Sequence, residues 1–66
     1  RTVEHLVRER AVRVARMREL TAAKHEPGIA LQEVLAADHT LAHLDADLRW
    51  IESARRRIRD LEGEIA

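Results

Sequence analysis

The sequence predicts an all-α fold: an antiparallel two-helix hairpin whose long second helix carries it, by dimerisation, into a helical bundle. Three observations carry this expectation. Apolar residues recur at gaps of three and four from Val34 onwards, with Ala37, Leu41, Leu44, Leu48, Ile51 and Ile58 in one stripe. The same spacing runs through Val3, Leu6, Val7, Ala11, Val14, Met17 and Leu20. Between the two stripes stands the chain's single proline, Pro27, followed by Gly28.

The first helix is expected over about residues 2–25. Thr2 is a serviceable N-cap, although His5 stands where a capping box places glutamate. Arg8, Arg13 and Arg16 fall off the apolar face, and Lys24 and His25 suit the negative end of the helix dipole. The turn is expected at 26–28, because proline disfavours helical geometry at Glu26 and Gly28 permits a change of direction. A connection this short makes the two helices antiparallel neighbours.

The second helix is expected over about 29–64, roughly 55 Å at 1.5 Å per residue. Folding about the turn sets Leu20 near Val34, Met17 near Ala37, Val14 near Leu41 and Val7 near Leu48. Charge agrees: residues 1–26 hold seven bases and four acids, residues 27–66 five bases and eight acids. Glu33, Asp38, Asp45 and Asp47 are therefore expected to face the arginine-rich first helix. Read as heptads, Val34, Leu41, Leu48, Arg55 and Glu62 take the a positions. Ala30, Ala37, Leu44, Ile51, Ile58 and Ile65 take the d positions. The first helix is expected to run out opposite Ile51, leaving the rest of the stripe uncovered. The dimer interface is accordingly assigned to Leu44, Leu48, Ile51, Arg55, Ile58, Leu61 and Ile65.

Composition narrows the function. Sixty-six residues make one small helical domain at most, marginal unless it is stapled or oligomeric, and the absence of cysteine removes disulfides. Zero net charge argues against a dedicated nucleic-acid surface. No apolar run approaches the roughly 20 residues that span a bilayer, so no membrane partner is expected. The chain begins at Arg1, and the expectation is a piece of something longer.

Candidate sites are few. His39 and His43 lie four apart with Asp47 four further on. Two histidines without a third strong ligand read as a partly packed surface and not as a metal centre. Arg55-Arg56-Arg57 and Arg59 are interleaved with Glu52, Asp60, Glu62 and Glu64, the pattern of a solvated helix end. No nucleophile has a base beside it and there is no glycine-rich phosphate loop, so no enzyme, catalytic residue or cofactor is expected. Trp50 is the most informative single residue. It sits off the main stripe beside Ala46, with Ala42 and Ala54 nearby. This is either a second contact face for a helix or domain, or a platform on which a flat ligand stacks. Trp50 is expected to be at least half buried once its partner is present.

With Trp50 in view, LAHLDADLRWIESARRRI resembles the last helix of PadR-like transcriptional regulators. In that family a segment of the kind a-E-L-x-W-L-e follows a proline-containing break and an arginine- and glutamate-rich helix. Asp47-Leu48-Arg49-Trp50-Ile51-Glu52 occupies that segment here, Pro27 the break, and Leu6 to Leu20 the earlier helix. Asp47 departs from the commoner glutamate. The resemblance implies the dimerisation domain of a bacterial cytoplasmic repressor, a homodimer that touches DNA only through an N-terminal winged helix not contained in these residues. It also implies that a small aromatic effector can be sensed near the dimer interface. The alternative is a coiled-coil protein–protein interaction module unrelated to transcription.

Overall fold

The computed structural model describes residues 2–65, with side chains through Gly63. Two helices pack against each other, α1 (Thr2–Lys24) and α2 (Leu31–Ile65), and among the described residues there is no strand. The hairpin is antiparallel: Arg10 of α1 pairs with Glu52 of α2, and Lys24, at the far end of α1, with Asp38.

The connection is longer than 26–28. The last backbone bonds of α1 tighten, with the His25 and Glu26 amides donating to the Ala22 and Ala23 carbonyls at 3.2 Å. The His25 Nδ1 donates to the Thr21 carbonyl at 2.7 Å, serving another carbonyl near the helix end. Glu26 to Ile29 then form a turn closed by the Ile29 amide on the Glu26 carbonyl at 3.3 Å. Pro27 stands at its second position and Gly28, at φ +80°, at its third, the arrangement of a type II turn. A Cβ at Gly28 would meet nothing within 4 Å, so conformation and not space demands glycine there. Because Ile29 closes the turn, α2 starts at Leu31, two residues later than expected. The Ala30 carbonyl accepts its first bonds, from Glu33 and Val34 at 3.0 and 3.1 Å. Ala30 is thus an N-cap without a capping side chain.

The predicted α2 stripe forms its side of the seam, whereas the α1 stripe does so only in part: Val3, Val7 and Ala11, expected within it, are exposed. Leu6, Ala37 and Ile51 are buried, flanked by half-buried Val14, Met17 and Leu20 on α1 and Val34, Leu41, Leu44, Leu48 and Ile58 on α2. The register differs from the expectation by nearly two turns. Val14 shares a surface hollow with Leu48 and not with Leu41, and Val3 shares one with Ile58. The longer connection lets α2 begin beyond the end of α1, so α1 reaches much further along α2 than opposite Ile51. Ile51, expected to be uncovered, is only 3% exposed within the single chain. The same shift leaves Leu31 and Leu35 projecting past α1, 71% and 58% exposed.

The result is a rod of 56 × 15 × 13 Å with a radius of gyration of 15.9 Å. A compact domain of this length would have a radius of gyration near 11 Å. The chain exposes 5344 Å², against about 4300 Å² for a compact monomer of its mass.

Two outcomes follow from this architecture. Ala30→Ser completes a capping box with Glu33 and should stabilise the protein by about 0.5–1 kcal/mol in a urea titration. Ile51→Ala empties the best-packed seam position and should cost about 2–4 kcal/mol, enough to unfold most of a protein this small.

Candidate interaction surface

Ion pairs edge the seam on both flanks. Arg13 is the best connected: its Nε donates to Asp47 Oδ2 across the helices at 3.1 Å, and its Nη1 to Glu9 Oε1 at 3.1 Å and the Glu9 carbonyl at 3.2 Å. The Asp47 bond, with that to Glu9 second, pushes the guanidinium up from its already high value. Arg10 Nε meets Glu52 Oε1 at 3.2 Å, and Lys24 Nζ meets Asp38 Oδ1 at 2.8 Å. Asp45 does not face α1 as expected; it pairs with Arg49 one turn along its own helix at 2.6 Å. These groups keep much of their solvent, so each pair contributes about 0.2–1 kcal/mol and acts on register more than on stability.

The outward sides of the two helices differ in composition. Away from α2, α1 presents Arg8, Ala11, Val12, Ala15, Glu19 and Ala22, all exposed, with Arg16 and Arg18 towards its edges. Away from α1, α2 presents Gln32, Leu35, Ala36, His39, Ala42, His43 and Ala46, all exposed; half-buried Ser53 and Ala54 continue the strip, and exposed Trp50 stands where it meets the flank beside His5. No carboxylate, ammonium or guanidinium falls in that strip over more than six turns, in a chain that is 36% charged. Arg49 and Asp45 line one edge of it. Trp50 is 65% exposed, and Leu35 lies in line with it at the other end. His39 and His43 pack edge to face at the centre, ring centroids 4.6 Å apart.

The sequence-assigned interface residues therefore have mixed fates. Ile51 is enclosed by the chain itself, and Leu44, Leu48, Arg55 and Ile58 are half buried along α1. Leu61 is exposed beyond α1, and the Ile65 side chain lies outside the described residues. Ala46 and Trp50 are exposed, Ala46 away from α1 and Trp50 at the edge of the hollow that it shares with His5, Leu6, Glu9 and Arg13. Leu31 and Leu35, which extend the outer face of α2 towards the turn, were not singled out by the sequence reading. The i, i+4 step from Leu31 to Leu35 and the i, i+7 step from Leu35 to Ala42 were the available signal.

Small-molecule binding at Trp50 has little room. The hollow it shares with His5, Leu6, Glu9 and Arg13 has a volume of about 180 Å³, below the roughly 300–1,000 Å³ typical of ligand sites. No group of three or more potential metal ligands converges among the described residues.

Comparison with known protein families, with curated proteins and with solved structures finds no match. The likeness to PadR-like regulators rests on the residues of this chain alone. Among the described residues, no helix is long and apolar enough to cross a membrane.

Arg13→Met separates charge from packing at the best-connected pair. Because the pair is solvated, the expected loss is below about 1 kcal/mol in chemical denaturation, with helix content unchanged.

Proposed function

We propose that this chain is a self-association module, a helical hairpin that completes its fold by dimerising. The observation that supports this reading is the surface left over. The chain exposes about 1000 Å² more than a compact monomer of its mass, and Leu31, Leu35, Trp50 and Leu61 stand exposed within it. A specific protein–protein interface removes about 800 Å² from each partner. The excess is of the size that one interface would cover.

The narrower reading makes this module the dimerisation domain of a bacterial, cytoplasmic PadR-like repressor. Its support is the Asp47–Glu52 segment, carried on a long helix after a proline break and an arginine-rich helix. In that reading the present residues hold the dimer together, and a winged helix elsewhere in the protein reads DNA. An interaction module outside transcription shares the first statement and not the second.

Self-association is tested by melting the protein at concentrations from about 1 µM to 1 mM. A dimer binds its own folded form, so its melting temperature should rise with concentration by several degrees. Trp50 should become harder to quench with acrylamide over the same range. A melting temperature independent of concentration, with Trp50 quenched like free tryptophan throughout, would contradict the proposal.

A further inference from the structure

We propose that a second copy of this chain docks on the outer face of α2, antiparallel to it, about a two-fold axis passing between Ala42 and His43. The inference rests on the self-association reading and names the surface that carries it.

The first support is chemical. The outer strip of α2 lacks charge from Gln32 to Ala54 and carries Asp38, Asp45 and Arg49 only at its edge, whereas Arg8 and Glu19 stand within the outer face of α1. The flanks of the hairpin are occupied by ion pairs. Arg10 and Glu52 line one flank beside Leu48 and Arg49, and Arg13 and Asp47 line the other beside His5 and Trp50. Docking on either flank would cover a pair that crosses the seam, whereas docking on the outer strip brings ion pairs only to its rim, at Asp38, Asp45 and Arg49.

The second support is the order of residue sizes along the strip. A two-fold axis between Ala42 and His43 brings Leu35 level with Trp50 of the second copy, His39 with Ala46, and Gln32 with Ser53. Small side chains at the centre allow the helix axes to approach, and a leucine–tryptophan pair closes each end. At the edge, Asp38 falls between Arg49 and Asp45 of the second copy, so that the guanidinium stands between the carboxylates of the two chains. In this arrangement the α2 helices form the middle of the dimer and the two α1 helices its outside. The predicted seam residues Leu44, Leu48 and Ile51 remain inside each hairpin.

Cysteine scanning tests this cleanly, since the chain has no cysteine of its own. His43→Cys, close to the axis, should form an intermolecular disulfide on mild oxidation. Ser53→Cys should not link to itself but should link to Gln32→Cys when the two proteins are mixed. Ala46→Arg should weaken the dimer on the order of 100-fold in sedimentation equilibrium while leaving helicity intact. Val12→Arg, on the outer face of α1, should leave association unchanged. A dimer that is indifferent to Ala46→Arg would overturn this surface while leaving self-association standing. So would one in which Ser53→Cys cross-links to itself faster than His43→Cys. Unsubstituted protein that stays monomeric at about 1 mM would overturn both this surface and the self-association proposal.

Discussion

Two helices share a single seam, and each can give only one face to it. Everything else in this protein follows from that constraint. Leu6, Ala37 and Ile51 are buried, and the remaining apolar side chains along the seam are only half covered. A helix pair of this length has no third element to close over its flanks, so it exposes more surface than a globule of equal mass. The charged outer face of α1 suits that exposure. The outer strip of α2, built from alanine, histidine, leucine and tryptophan, does not.

Charge and packing divide the work between them. The seam supplies the hydrophobic driving force, and the ion pairs that cross it at Arg10, Arg13 and Lys24 are compatible with only one sliding position of the helices. Such pairs are individually small when solvated, yet a wrong register loses several at once and sets like charges together. The turn contributes a second fixed point. Gly28 at positive φ and Pro27 before it hold the chain's reversal in one geometry, leaving the start of α2 at Leu31.

Helix existence, the site of the break and the seam positions of α2 were legible in the sequence, because each depends on local spacing. On α1, Val7 and Ala11 were assigned to the seam and are exposed, while Arg13, placed off it, reaches across to Asp47. Register was not legible. Placing Val14 opposite Leu41 assumed that the helices resume immediately after Gly28. The Ile29 amide, committed to closing the turn, and the Ala30 carbonyl, accepting the first bonds of α2, delay that restart. A register error of this size moved Ile51 from an imagined interface between chains into the core of one chain. The charge at Asp45 was misassigned for a related reason. Arg49 lies one turn away on the same helix, and a local partner needs no long-range geometry. The second face was half legible: Trp50 and Ala46 stood out by their composition. Leu31 and Leu35 were not singled out, because their exposure depends on the register, which leaves α1 short of them.

Isotope-filtered nuclear Overhauser spectroscopy on an equal mixture of labelled and unlabelled protein tests the central claim most directly. That claim is that one chain closes its own seam and leaves the outer face of α2 for another copy. The account predicts that Leu6–Ile51 and Val3–Ile58 contacts appear only within a chain, while the Trp50 indole touches Leu35 methyls only between chains. Leu6–Ile51 contacts between chains would contradict it, since the seam would then belong to the dimer and not to the hairpin.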